Sequence, residues 1–241
     1  MSTPASPAPL PPASTTTVRA VLLDADGVLQ LIGTPWHQAL TEAAGPEFCE
    51  ALLREEVCAL EGRESLMEVL TRLVRRLHLS PTPEELATLW WQATPDPVAR
   101  DLVTRLRQAG YLTVLATNQQ RERMEWMRTH LHYDGLCDLD AYSCTLGVAK
   151  PDPRYFTTVL ERAGVAAHEA LFVDDNAENI ASAASLGIHT LHHRADAGGE
   201  VLWAGVSQEL QRSQRAAGGD CDHPPPSGGG PPVRSLILEA L

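Results

Sequence analysis

Short apolar runs recur along this chain, and each is followed by polar side chains and then by an amphipathic helical pattern. The runs span residues 18–23, 111–118 and 170–176, with further short pieces at 141–144 and from Ile188. Apolar runs of this length are typical of buried parallel strands. Because strands and helices alternate, we predict an α/β fold: a Rossmann-like parallel sheet covered by helices.

Capping residues mark the helices between these runs. Asp96 precedes Pro97, which is the pattern of an N-cap followed by a proline at the first helical position, and Gly110 follows the apolar stripe. The segment 152–164 repeats this arrangement, and a third helical pattern ends at Gly187. These signals predict helices that cross over from one strand to the next.

The segment 31–94 interrupts this alternation directly after the first strand. It contains an apolar stripe at helical spacing from Leu66 to Leu77 and a capping box from Thr82 to Glu85, and it shows no clear strand pattern. We therefore predict a small helical cap at 31–94, inserted into a catalytic core formed by 18–30 and 95–215.

The two ends of the chain differ from this core in composition. Residues 1–17 are dominated by Pro, Ser, Thr and Ala, which predicts a disordered tail. Residues 216–241 begin with a Pro/Gly-rich stretch that is typical of a linker. Apolar residues return at 233–241, and the sequence leaves open whether this segment docks on the domain, binds a partner or does neither.

Composition excludes several classes of protein. The formal net charge of the 241 residues is -12, which argues against non-specific nucleic-acid binding because that binding needs cations to neutralise phosphates. The sequence contains no run of about 18 apolar residues, so we expect no membrane-spanning helix. The N-terminus lacks the pattern of a secretory signal. The five cysteines have no metal-binding spacing, so we expect reduced thiols in a cytoplasmic protein.

Polar side chains cluster where the apolar runs end, which is where ligands bind in open α/β sheets. These residues are Asp24, Asp26, Thr117, Asn118, Asp174 and Asp175, together with Lys150 in a loop before a helix. Clustered carboxylates repel one another unless a cation offsets them, and Mg²⁺ prefers oxygen ligands and pairs with phosphate. A carboxylate can also attack phosphorus to form an aspartyl-phosphate.

Each of these residues also has an ordinary structural interpretation. A lysine before a proline, as at Lys150–Pro151, is usually solvated in a loop, and Asp174 and Asp175 could simply cap the helix that follows them. Trp36 in the insert belongs either to the core of the cap or to the wall of a substrate pocket. The combination, rather than any single residue, favours phosphate chemistry.

The combination resembles the four motifs of the haloacid dehalogenase-like superfamily. The matching residues are Asp24-Ala25-Asp26-Gly27-Val28, Thr117-Asn118, Lys150-Pro151 and Asp174-Asp175. They occur in the order of the family, and the resemblance extends over residues 18–193. The sequences around the third and fourth motifs are most similar to sugar-phosphate and phosphoglycolate phosphatases that carry a helical cap.

The resemblance implies a role for each matching residue at the strand ends. Asp24 would be the nucleophile, and Asp26 would be the general acid and base. Thr117 would bind the transferring phosphoryl group with the assistance of Asn118, and Lys150 would stabilise its charge.

The resemblance also implies a Mg²⁺ site. Asp24, Asp174 and the backbone carbonyl of Asp26 would hold the ion, and Asp175, in the second shell of the metal, would hold either a metal-bound water or Lys150. Dehalogenases of this superfamily lack the second aspartate of the first motif, so the presence of Asp26 favours phosphate esters.

The function predicted from the sequence is therefore Mg²⁺-dependent hydrolysis of a small phosphorylated metabolite through an aspartyl-phosphate. A phosphomutase similar to β-phosphoglucomutase would carry the same motifs, and a non-catalytic interaction protein of the same fold is a third alternative. We expect a small phosphorylated substrate and neither nucleic acid nor membrane as a partner. No motif indicates which substrate is used or how many copies assemble.

Overall fold

A computed structural model describes residues 9–219, and a five-stranded parallel sheet lies at its centre. In chain order the strands are β1 (Ala20–Leu23), β2 (Gln30–Leu31), β3 (Thr94–Pro95), β4 (Leu112–Thr117), β5 (Leu139–Tyr142), β6 (Ala170–Asp174) and β7 (His189–His192). The strand order in the sheet is β5-β4-β1-β6-β7, so β1 is central. The predicted α/β fold is confirmed.

The helices fall into two groups, one in the insert and one against the sheet. In chain order they are α1 (Trp36–Ala44), α2 (Pro46–Glu55), α3 (Val57–Leu60), α4 (Leu66–Leu77), α5 (Pro83–Ala87), α6 (Pro97–Gln108), α7 (Arg121–His130), α8 (Ser143–Leu146), α9 (Pro153–Ala163), α10 (Ala177–Ser185) and α11 (Gly198–Gly219). Asp96 caps α6 as predicted, because its Oδ1 accepts hydrogen bonds from the backbone of Val98 and Ala99. Between residues 9 and 219, no helix is both long and apolar enough to span a bilayer.

Alternate residues of the central strand β1 face opposite layers of helices. Val21 belongs to a buried cluster with Leu102 of α6 and Leu202 of α11. Leu22 belongs to a second cluster with Phe156 of α9. Since side chains alternate along a strand, a continuous apolar run can fill both cores, which is what the sequence of β1 requires.

The helices α1 to α5 build a helical unit, residues 36–91, with a buried core of its own. That core contains Leu40, Phe48, Leu52, Leu66, Leu70, Leu73, Leu86 and Trp90. The segments that lead into and out of the unit pair as an antiparallel ribbon, β2 with β3. No sequence pattern indicated this ribbon, because each strand contributes only two residues. The boundaries 31–94 for a cap remain a prediction.

The N-terminal segment differs from the predicted tail within the described residues. Ala13 and Leu10 pack against the core, and the buried Tyr111 hydroxyl donates a hydrogen bond of 2.9 Å to the Pro11 carbonyl. The Thr17 amide donates to Ser213 Oγ of α11. The low apolar content of this N-terminal segment did not predict these contacts. They provide the buried Tyr111 hydroxyl with a hydrogen-bond acceptor, the Pro11 carbonyl. Residues 1–8 of the predicted tail lie outside the described residues.

The C-terminal helix α11 extends beyond the predicted end of the core at residue 215 and reaches Gly219. It packs closely on α6: a Cβ at Gly199 would lie 2.6 Å from Asp96 Oδ1. Glycine at this position therefore permits the Gly199 amide to donate to Asp96. Residues 220–241, including the apolar segment 233–241, lie outside the described residues.

Candidate active site

Three strand ends bring the predicted residues to one edge of the sheet. Thr117 and Asp174 are the last residues of β4 and β6, and Asp24 directly follows β1. Because β1 pairs in parallel with both β4 and β6, these three residues lie side by side at the carboxyl ends of the strands. Asp24, Thr117 and Asp174 are all buried, at 7%, 1% and 0% exposure.

Lys150 reaches this edge from the loop before α9 and lies between two of the carboxylates. Its Nζ lies 2.6 Å from Asp174 Oδ2, 3.1 Å from Asp24 Oδ1 and 2.8 Å from the Ala116 carbonyl. Burial alone would lower the pKa of the ammonium, but Asp24 and Asp174 raise it above its ordinary value. The lysine is therefore a buried cation rather than a solvated loop residue.

Asn118 anchors the loop that carries this lysine. Its Nδ2 donates to the Lys150 carbonyl at 2.8 Å, and its Oδ1 accepts from the Lys150 amide at 2.9 Å. Both amide atoms are engaged with the backbone of Lys150. Its predicted contact with phosphate remains a prediction, whereas the geometry gives it a direct part in placing the lysine.

Asp174 is held in place by α10, which begins just after it. Its Oδ1 accepts from the Asn176 amide at 2.8 Å, and Asn179 Nδ2 lies 3.1 Å from each carboxylate oxygen. The sequence analysis did not identify Asn179 as a site residue. Its position in the first turn of the helix after the fourth motif was the available signal.

The three carboxylates Asp24, Asp174 and Asp175 form a group that fits a divalent cation. One ligand oxygen from each lies within 4.8 Å of the others. Burial, opposed by Lys150 and reinforced by Asp174, raises the pKa of Asp24 to about 7. Burial and the Asp174 charge raise the pKa of Asp175 to about 6. Oxygen ligands with excess negative charge are the donor set that Mg²⁺ prefers.

Gly27 allows the loop after β1 to approach this group. Its φ is +73°, and a Cβ there would lie 2.8 Å from Asp175 Oδ2. A side chain at this position would displace Asp175. The carboxylate of Asp26 lies outside the acidic group. The metal contact predicted for Asp26 is through its backbone carbonyl instead, and that contact remains a prediction.

The Asp26 carboxylate is bound by three other side chains. Its Oδ1 accepts from Gln30 Nε2 at 2.7 Å and from Arg123 Nη2 at 2.8 Å, and its Oδ2 accepts from Gln119 Nε2 at 3.2 Å. The same Gln119 nitrogen lies 3.0 Å from Thr117 Oγ1. Gln30, Gln119 and Arg123 thus contact a candidate site residue, although none of them belongs to the sequence motifs.

A cavity of about 180 Å³ extends from Asp26 towards the helical unit. Its walls include Trp36, Trp90 and Glu56 on one side and Gln120 and Arg123 on the other. Burial raises the pKa of Glu56 to about 7, although Gln120 donates a hydrogen bond to it. Trp36, a candidate pocket residue in the sequence, does line this cavity.

Comparison with known proteins identifies relatives of the chain. A family model described as haloacid dehalogenase-like hydrolase matches residues 18–187. The phosphorylated carbohydrates phosphatase of Thermotoga maritima is 27% identical over 205 residues, which are 78% of this chain and 92% of that protein. The (S)-2-haloacid dehalogenase 4A of Burkholderia cepacia is 25% identical over 189 residues, 72% of this chain and 82% of that enzyme.

Other matches are shorter or concern the fold. The mouse acyl-CoA dehydrogenase family member 10 is 36% identical over 96 residues, and these cover 39% of this chain and only 9% of that protein. Among solved structures, a predicted HAD-like family hydrolase from Porphyromonas gingivalis superposes with a TM-score of 0.69 at 21% identity. That superposition covers 81% of this chain and 98% of the solved one.

Proposed function

Because the chain belongs to the haloacid dehalogenase-like hydrolases, we propose that it is a Mg²⁺-dependent phosphatase acting on a small phosphorylated metabolite through an aspartyl-phosphate. The observation that carries this proposal is the placement of Lys150 between Asp24 and Asp174 beside a third carboxylate. An anionic nucleophile can approach an anionic phosphoryl group only where cations offset the repulsion. A lysine and a divalent ion in this position would supply that charge.

The proposed reaction has two steps at phosphorus. A carboxylate oxygen of Asp24 attacks, the Asp24 oxygen–phosphorus bond forms, and the ester oxygen leaves with a proton from Asp26. Water then attacks the phosphoenzyme and gives its proton to Asp26, which releases inorganic phosphate and restores Asp24. The hydroxyl of Thr117 and the Lys150 ammonium bind the phosphoryl oxygens in both steps.

The acidic group at the strand ends is the proposed Mg²⁺ site. Asp24, Asp174 and the backbone carbonyl of Asp26 would hold the ion, and Asp175 would act through a bound water. When bound, the ion would neutralise charge on the phosphoryl oxygens and orient them for in-line attack. The fit rests on oxygen donors that already lie within 4.8 Å of one another.

One relative is a haloacid dehalogenase, but Asp26 favours the phosphatase. A halide departs without a proton, so a dehalogenase has no need of a carboxylic acid beside the leaving group. An alkoxide is a poor leaving group and requires protonation. The chain carries a carboxylate two residues after Asp24 and binds it with Gln30, Gln119 and Arg123.

The cavity supports a small leaving group. Its volume of about 180 Å³ is below the range of about 300–1,000 Å³ typical of pockets for drug-sized ligands. The helical unit closes one side of it, so we propose that this unit acts as the cap and excludes large phosphoproteins. Aromatic walls and the Glu56 carboxyl would then contact the part of the substrate that is not phosphate.

The function is tested by hydrolysis of 4-nitrophenyl phosphate with and without metal. We expect turnover with Mg²⁺, loss of turnover in excess chelator, and recovery when Mg²⁺ is restored. Ca²⁺ should restore little activity, because its coordination is larger and less regular. Colour release and inorganic phosphate are measured in the same samples.

Three outcomes would contradict this proposal. Full activity in excess chelator would remove the metal from the mechanism. Halide release from a 2-haloacid, with no phosphate release from any ester, would assign the chain to the dehalogenases instead. Transfer of phosphate to a second sugar hydroxyl in place of water would identify a mutase.

Substrate preference is tested with a panel of phosphorylated metabolites and a phosphopeptide. We expect small metabolites to be the better substrates. Glu56→Gln should change their ranking by about tenfold, because the cavity carboxyl would contact the leaving group, and should leave 4-nitrophenyl phosphate within about threefold. Glu47→Gln, on an exposed face of the helical unit, is the matched control. A preference for the phosphopeptide would refute the assignment of the helical unit as a cap.

A further inference from the structure

Arg123 is a buried arginine next to the proposed acid and base. It lies in the first turn of α7, which begins shortly after β4, and its side chain is 2% exposed. Arginine is seldom so fully buried unless its charge is paired. Here the pair is with Asp26, at 2.8 Å from Nη2 to Oδ1.

This ion pair differs from the other contacts of the Asp26 carboxylate. Gln30 and Gln119 donate to this carboxylate through neutral amides, at 2.7 and 3.2 Å. Among the described residues, Arg123 is the one cationic side chain that donates to it. Charge-assisted hydrogen bonds are about twice as strong as neutral ones. Arg123 therefore contributes most to fixing a carboxylate whose side chain is 20% exposed towards the cavity.

The guanidinium is itself fixed from the opposite side of the cavity. Its central carbon lies 4.8 Å from the ring centroid of Trp36, which belongs to the helical unit. A planar guanidinium can stack one face on an aromatic ring while its edge donates to a carboxylate. Arg123 thus joins the carboxylate of the core to the wall formed by the helical unit.

We infer that Arg123 is the positioning residue for Asp26: it holds this carboxyl group where its proton can reach the leaving oxygen, with Trp36 packed over the guanidinium. The proton passes from Asp26 to the leaving oxygen as the phosphorus–oxygen ester bond breaks and the bond to Asp24 forms. This assignment rests on the proposed phosphatase function. Displacement of a catalytic group by about 1 Å can cost about 10²-fold in rate, so the loss of this anchor should be measurable.

The test varies the leaving group while keeping its shape. A series of para-substituted phenyl phosphates spans weakly to strongly basic phenolates, and kcat/KM reports the first transfer alone. A working acid makes the rate nearly independent of leaving-group basicity. Arg123→Gln should lose less than about tenfold on 4-nitrophenyl phosphate and about 10²-fold on the most basic member, with KM changed little. Arg123→Lys, which keeps the charge, should give an intermediate slope.

Arg100→Gln is the matched control, because Arg100 also stacks on an aromatic ring, with 4.8 Å to the Tyr133 centroid, and donates to the Leu131 carbonyl. Its slope should equal that of the parent. Equal slopes for the parent and Arg123→Gln, or an equal steepening in Arg100→Gln, would overturn the assignment. If Arg123→Gln does not fold, a parental slope in Arg123→Lys overturns it. A parent that hydrolyses no phosphate ester overturns the proposed function and this assignment with it.

Discussion

Replacing Asp24 with asparagine should abolish turnover and leave the fold intact. The amide has nearly the shape of the carboxylate but is a poor nucleophile, and removal of a nucleophile elsewhere costs on the order of 10⁴-fold or more in kcat. The backbone of residue 24 is unaffected, because its amide donates to the Val173 carbonyl at 3.0 Å. Phosphate release in saturating Mg²⁺ measures the loss.

The same substitution should not lower stability at neutral or higher pH. The pKa of Asp24 is raised from 3.8 to about 7, mainly by burial. A raised pKa in the folded state means that the ionised carboxylate destabilises the fold as pH rises through this range. We therefore expect the Tm of Asp24→Asn, measured in chelator at pH 8, to equal or exceed that of the parent. Lys150 keeps its contacts with Asp174 and Ala116 in this variant.

Asp138→Asn provides the control for the same chemical change elsewhere in the protein. Asp138 precedes β5, at the end of the sheet opposite the candidate site, where it pairs with Arg107 at 2.8 Å and accepts from Thr113. This variant should lose stability and keep its kcat. If Asp24→Asn retained the activity of the parent in Mg²⁺, Asp24 would not be the nucleophile.

Sequence reasoning succeeded where several local signals agreed. The central strand was predicted because a continuous apolar run ended in carboxylates and Gly27, and α6 was predicted because Asp96, Pro97 and its apolar stripe all indicated the same helix. Candidate site residues at the strand ends could be chosen because parallel strands end at one edge of the sheet. Lys150 lies in a loop, and only its combination with these strand-end residues made it a candidate.

The remaining features depend on contacts between segments far apart in the sequence. Arg123 is one of three arginines in the helix α7, and nothing local distinguishes it from an exposed arginine until Asp26 and Trp36 are placed around it. The N-terminal segment is similar: Pro11 accepts from Tyr111, 100 residues away. Such pairings are set by tertiary packing, which periodicity and capping patterns do not encode.

Lys150→Met should have the second large effect, on both stability and activity. Its ammonium contacts three acceptors, and removing it leaves the carboxylates of Asp24 and Asp174 buried without this cation. Breaking a buried ion pair from one side costs about 3–5 kcal/mol. In chelator we expect a Tm decrease of about 10 °C, because about 1 kcal/mol corresponds to 2–4 °C in a chain of this size. Activity in Mg²⁺ should fall by about 10²–10³-fold.

Mg²⁺ should stabilise this variant more than it stabilises the parent. The formal charge of Asp24, Asp174, Asp175 and Lys150 together is -2, and it becomes -3 when the ammonium is removed. A more negative group binds a divalent cation more tightly, so the Tm increase on adding Mg²⁺ should be larger in Lys150→Met. An equal or smaller increase would show that the ion does not occupy the acidic group.

Lys150→Arg tests whether charge alone is sufficient at this position. Lys150 is the only lysine in the sequence, and apart from histidine all other basic side chains are arginines. The compact ammonium hydrogen-bonds Asp174 and the Ala116 carbonyl while it lies 3.1 Å from Asp24 Oδ1, and a planar guanidinium cannot reproduce these contacts in the same volume. We therefore expect Lys150→Arg to remain about 10²-fold less active than the parent. Labelling with ¹⁵N-lysine gives a single Nζ resonance, and its shift on adding Mg²⁺ would report the ion beside this ammonium without an activity assay. If arginine restored full activity, the role of Lys150 would be general electrostatics rather than the directed contacts described above.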